Sequence, residues 1–190
     1  MKKRVFIIHR WDGNPKGDLY PWLKTEIEKN GFEVHVPEMP NTSEPKIDEW
    51  VGHLNKTVGK LDKGTYFIGH SIGCQTIMRY LQDKKIKIGG AVFVAGWFNL
   101  DNLEDEEVES IAKPWMEDKI ELDNIKKIIN KLTVILSDND PYDFVGKNKK
   151  IFEDKFGAKV IIKKGMGHFT EEDGIKELPS ALNALLEMAR

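Results

Sequence analysis

Residues of the types that carry out acyl transfer stand at widely separated points of this 190-residue chain. The run TYFIGHSIGCQT, residues 65–76, holds the first of them. Its apolar stretch Tyr66-Phe67-Ile68 stops at Gly69, and a helical pattern opens at Ile72, so Ser71 falls at a strand-to-helix turn between two glycines. Gly-x-Ser-x-Gly in that setting is a nucleophile-elbow pattern. The glycines omit Cβ atoms that would collide with neighbouring backbone. The serine is strained so that its Oγ projects above the sheet, and N–H groups of the first helical turn are free to meet an oxyanion. The plainer alternative is a glycine-lined turn with an inert serine.

A serine hydroxyl needs a base, and the base needs an orienting acid. Where a sheet carries such an elbow, the chain order is Ser, then Asp or Glu, then His. Of His9, His35, His53, His70 and His168, only His168 follows the later strands, in KKGMGHFTEED. His9 ends the first strand and is expected to line the site. His70 is expected beside the elbow, and His35 and His53 suit ordinary strand and helix positions. The acid should follow the strand at 132–136, where SDNDPYD offers Asp138, Asp140 and Asp143. Asp140 is favoured because the following proline biases it toward an extended conformation, with Asp138 second. A calcium loop is the weaker reading of this acidic run, since the glycine and distal Glu of an EF-hand are missing. Two backbone N–H groups should form an oxyanion hole: Ile72, directly after the serine, and Trp11, in the loop HRWDGNP after the first strand.

These residues need a frame that gathers strand ends. Short apolar runs at 4–8, 32–36, 65–68, 88–95, 132–136 and 158–162 alternate with amphipathic segments at 18–29, 47–61, 72–81, 145–156 and 175–189. Continuously apolar strands between helices imply an α/β fold with a six-stranded parallel sheet covered on both faces. Ligands then bind beyond the carboxyl ends of the strands. The length suits a single domain, 1–190. Residues 97–123 read as an acidic, irregular insert without a sheet partner, forming either a lid or a solvated excursion. Trp97, Phe98, Trp115 and Met116 within it would either line an apolar acyl pocket or pack the insert onto the body.

Composition narrows the class. A net charge of −2 gives no field favouring nucleic acid or an anionic membrane. The single cysteine, Cys74, excludes an internal disulfide and a paired-cysteine zinc site. No stretch reaches the ~20 apolar residues of a membrane span, and the short run after Lys2-Lys3-Arg4 is no signal peptide, so a cytoplasmic location is expected. No metal or cofactor is expected: histidines, cysteines and acids lack ligand spacing, there is no P-loop, and the glycines at 69 and 73 lack the third of a dinucleotide fingerprint.

Taken together, FIIHRWDGNP, YPWLKTEIEKNGFEVHVPEMPN, GHSIG, MRYL, KPW, SDNDPY and GMGHF cover nearly the whole chain in order. With them the chain resembles the α/β-hydrolase superfamily, and more closely the small serine hydrolases of the retinoblastoma-binding-protein-nine family. The resemblance implies a three-layer α/β/α sandwich with sheet order 2-1-3-4-5-6. It places nucleophile, acid and base on Ser71, Asp140 and His168, and implies a small acyl substrate. Arg10 is a departure, standing where many α/β-hydrolases have glycine after the first-loop histidine, so that it would either narrow the site or place a cation beside it. The retinoblastoma-binding motif is absent, and that partner is not expected. The expected activity is hydrolysis of a small ester, thioester or amide. The competing reading is a catalytically silent binding or regulatory protein on the same scaffold.

Overall fold

The runs rich in Val, Ile and Phe assemble into one twisted parallel sheet. The computed structural model describes residues 2–103, 105–142 and 144–190. Its strands are β1 (Arg4–Ile8), β2 (Glu33–His35), β3 (Thr65–His70), β4 (Gly90–Val94), β5 (Leu132–Ser137) and β6 (Lys159–Lys163). They are ordered β2-β1-β3-β4-β5-β6, with each neighbouring pair parallel. The sheet order implied by the resemblance is therefore the observed one. β3 and β5 are buried at every position, as strands covered on both faces must be.

Handedness decides which face each helix takes. The helices are α1 (Tyr20–Lys29), α2 (Ile47–Val58), α3 (Ile72–Leu81), α4 (Glu106–Glu117), α5 (Leu122–Ile128), α6 (Phe144–Ile151), which runs into a π-helical turn at Phe152–Phe156, and α7 (Pro179–Met188). The crossover through α1 moves toward β2, whereas those through α2, α3, α5 and α6 move the other way across the sheet. Right-handed crossovers then place α1 on one face, where α7 packs on it, and the others on the opposite face. The reversal of direction lies between β1 and β3. Their carboxyl ends open the crevice in which the loop after Ile8 and the turn at Ser71 meet. Among the described residues no helix is long and apolar enough to cross a membrane.

The insert departs from its expectation. Residues 97–123 are not irregular: they contain α4 and the start of α5. Asp105 caps α4 by accepting from the Glu107 N–H at 2.8 Å. Val108, Ile111, Ala112 and Trp115 lie along one face at helical spacing. The last turns are anchored. The Trp115 indole donates to the Pro45 carbonyl at 3.0 Å and meets Trp50 edge-on at 6.2 Å. The buried Arg79 of α3 donates to the carbonyls of Trp115 (2.8 Å) and Asp118 (2.9 Å). Trp115 is thus a packing residue of the body and does not line the site.

Candidate active site

Ser71 occupies a conformation that side chains rarely adopt, φ 54° and ψ −120°, directly between β3 and α3. Its N–H donates to the Val94 carbonyl at 2.9 Å, which fixes the turn to β4. The flanking glycines are required by space. A Cβ on Gly69 would sit 2.8 Å from Cys74 Cα, and one on Gly73 would sit 2.9 Å from the His9 carbonyl oxygen, with that of Ile8 nearer still. All of these obstacles are main chain, so none can rotate away. Gly73→Ala is therefore expected to destabilise the fold by about 3 kcal/mol, read as a lower urea midpoint at unchanged slope.

His168 sits in the loop after β6, its ring held from two sides. Its Nδ1 lies 2.8 Å from Asp140 Oδ2, and the Tyr142 ring meets it edge-on at 5.2 Å. Asp140 Oδ1 accepts from the Tyr142 N–H at 3.1 Å, which sets the carboxylate's orientation. Asp138, the second candidate, instead accepts from the Gly165 N–H at 2.8 Å and closes the β5–β6 turns together. Asp143 lies outside the described residues. Asp173 buttresses the loop: one carboxylate oxygen accepts from the N–H groups of His168 (2.8 Å) and Thr170 (3.0 Å). Burial opposes the charge on Asp173, yet these donors hold its carboxyl below the usual range.

Ser71 and His168 face a common cavity of about 300 Å³. Trp97, Leu100, Leu103, Val108, Ile111 and Tyr142 supply much of its apolar lining, and Arg10, Trp11, Asp12, Ser43, Ile72, Asp105 and Glu107 complete it. The Trp97 indole N–H reaches Ser71 Oγ at 3.3 Å, and the Gln75 amide pins the Trp97 carbonyl at 2.7 Å. Among the described residues the N–H groups of Ile72 and Trp11 have no hydrogen-bond partner. No three His, Cys, Asp or Glu side chains among those residues are grouped as a metal ion would require. Ser71 and His168 thus share a cavity at the switch point of a parallel sheet, with the Asp140 carboxylate against the histidine ring. The family model described as serine hydrolase matches residues 5–187. The chain belongs to the serine hydrolase family.

Among relatives of this serine hydrolase is YdeN of Bacillus subtilis, described as a hydrolase and 27% identical over 97% of this chain and 95% of that protein. The serine hydrolase RBBP9 of Rattus norvegicus is 26% identical over 93% of this chain and 94% of its own. The crystal structure of the B. subtilis ydeN gene product superposes with a TM-score of 0.89 at 24% identity, covering 99% of both chains, and shows the shared fold.

Several expected lining residues of the hydrolase lie behind the cavity. His9 is buried: its Nδ1 donates to the Arg10 carbonyl at 2.9 Å and its Nε2 accepts from the Met39 N–H at 3.1 Å. Burial lowers its pKa. His70 is buried beneath the elbow. Phe98 stacks into the Phe152–Phe156 cluster, and Met116 Sδ accepts from the Leu100 N–H. Arg10 does face the cavity, but its Nε donates to Asp18 Oδ2 at 2.8 Å and its NH1 to the Trp11 carbonyl at 3.0 Å. Burial opposes both charges of that pair, and the pairing outweighs it: Arg10 is held above its usual range and Asp18 below. Leu100, Leu103, Val108, Ile111 and Tyr142 escaped the sequence reading. For Val108 and Ile111 a signal existed in the spacing that leads to Trp115.

Proposed function

We propose that this hydrolase cleaves a small ester, thioester or amide through an acyl-enzyme. Ser71 is the nucleophile, His168 the general base and then acid, and Asp140 the residue that orients it. The observation that carries this reading is the 2.8 Å His168 Nδ1–Asp140 contact on a histidine that shares a cavity with Ser71. With Nδ1–H donated to Asp140, the neutral ring presents Nε2 as an acceptor. Ser71 Oγ attacks the acyl carbon while its proton passes to His168. The carbonyl oxygen, now an oxyanion, is met by the N–H groups of Ile72 and Trp11. His168 then protonates the departing oxygen, sulfur or nitrogen. Water repeats the sequence and frees the acid. The Trp97 indole holds Oγ in place between turnovers.

The cavity indicates the acyl group. Its volume is at the low end for ligand sites, and its inner wall is aliphatic and aromatic. Among the described residues its carboxylates, Asp12, Asp105 and Glu107, stand with one lysine or arginine, Arg10, already held by Asp18. A short, uncharged acyl chain fits these walls. The whole chain then acts as one hydrolase domain in which α4 and the loop before it form the acyl wall. The expected result is turnover of p-nitrophenyl acetate and butyrate, with kcat/KM falling about tenfold or more at laurate. A fluorophosphonate should label the folded protein once, at the peptide containing Ser71. A folded protein that neither turns over these esters nor takes the label would support the silent-scaffold reading instead.

A further inference from the structure

Three segments must hold register for the proposed chemistry: the elbow, the loop after β1 and the loop carrying His168. One chain of buried side chains joins all three. His70 Nε2 lies 2.7 Å from the His168 carbonyl oxygen. A carbonyl only accepts, so Nε2 carries the ring proton. Nδ1 is then an acceptor, and the Tyr20 hydroxyl 2.7 Å away must donate to it. That leaves the hydroxyl oxygen to accept from the Arg10 N–H at 3.0 Å. The direction of every bond follows from the two ends. Both side chains are buried, His70 at 1% and Tyr20 at 0% exposure, so no solvent route replaces them. Burial, then the neighbouring His168, pushes the His70 pKa down to about 3, and burial raises that of Tyr20 well above its ordinary value. Both therefore stay neutral as the bonding requires.

We infer that His70 and Tyr20 are positioning residues, which fix the main chain of His168 and the Arg10–Trp11 turn relative to Ser71. The inference rests on the proposed roles of Ser71 and His168. His168 is then held through its N–H by Asp173, its Nδ1 by Asp140 and its carbonyl by His70. The last of these is the one that refers it to the nucleophile, since His70 is covalently joined to Ser71. Asp18 adds a parallel tie, accepting from Arg10 Nε and from the Glu171 N–H, both at 2.8 Å. His70, Tyr20 and Asp18 do not line the cavity. Their effect is on distance and angle, to which a reacting pair is steeply sensitive.

The test compares Tyr20→Phe, His70→Gln and His70→Leu on p-nitrophenyl butyrate, with kcat divided by active sites titrated with a fluorophosphonate. Gln retains an N–H donor near the Nε2 position and Leu does not. Expected are a fall in per-site kcat of about 10- to 100-fold for Tyr20→Phe and His70→Leu, a smaller fall for His70→Gln, and KM within about twofold. Nitrogen-15 spectra of the wild type should show His70 as the Nε2–H form from pH 5 to pH 9. Wild-type per-site kcat in Tyr20→Phe would overturn the inference, as would equal values for the two His70 variants or a His70 that gains a proton in that range. If Tyr20→Phe does not fold, the His70 pair decides. A wild type that resists the label defeats the parent reading and this one with it. A labelled wild type with indifferent variants defeats only this one.

Discussion

Ser71→Ala should lower kcat for p-nitrophenyl acetate by on the order of 10⁶-fold and abolish fluorophosphonate labelling while leaving the fold intact. The size of the effect follows from the proposed route. Without Oγ no acyl-enzyme forms, and the remaining activity is attack by water, helped only by the Ile72 and Trp11 N–H groups. The fold should survive because Oγ accepts from the Trp97 indole at 3.3 Å, and losing such a contact costs about 1 kcal/mol. Alanine keeps the Cβ, so the strained φ of 54° is no worse than before. Steady-state rates and thermal unfolding on the same preparation separate the two effects. Wild-type turnover in this variant would remove Ser71 from the chemistry.

Asp140→Asn is the second large effect, a fall in kcat of about 10⁴-fold. The substitution keeps shape but changes what His168 meets. An amide N–H set toward Nδ1 favours the tautomer protonated at Nε2, and that form cannot take the serine proton. Asp138→Asn is the informative contrast. Asp138 is exposed and among the described residues bonds only the Gly165 and Lys163 main chain, so its loss should change kcat less than about tenfold. A larger loss at 138 than at 140 would reverse the assignment of the acid.

How much of this was readable beforehand differs element by element. The strands were plain because β1, β3, β4 and β5 are buried almost throughout and so are mostly apolar, with polar residues few and mainly at their ends. Ser71 and His168 were plain because a turn leaves glycines and a loop leaves a lone histidine. Helix α4 was hidden. Its stripe of Val108, Ile111, Ala112 and Trp115 obeys helical spacing, but the surrounding carboxylates and Pro114 resemble a solvated loop. Pro114 removes one N–H donor inside the helix, and the bonds of Arg79 to the Trp115 and Asp118 carbonyls and of the Trp115 indole to Pro45 hold the turn that follows it. Helix α1 began two residues later than its apolar pattern, since Asp18 turns to φ 50° to reach both Arg10 and Glu171. The ties through His70 and Tyr20 were invisible in principle. Tyr20 reads as one more apolar helix position, and its partners lie 10 and 50 residues away in sequence. Periodicity reports which face is buried, and says nothing of which buried polar atoms meet.

The anchoring of α4 has a consequence for how such an enzyme diversifies. Arg79, Trp50 and Pro45 grip the helix at Trp115 and beyond, one or more turns from Val108 and Ile111, which face the cavity. Val108 and Ile111 offer the cavity only aliphatic side chains, so among the described residues they carry none of the bonds that orient Ser71, Asp140 or His168. Mutations there can drift, reshaping what enters, without a simultaneous repair of the bond-breaking machinery. Selection can thus explore new substrates one residue at a time along a single helix, while the proposed catalytic residues stay fixed.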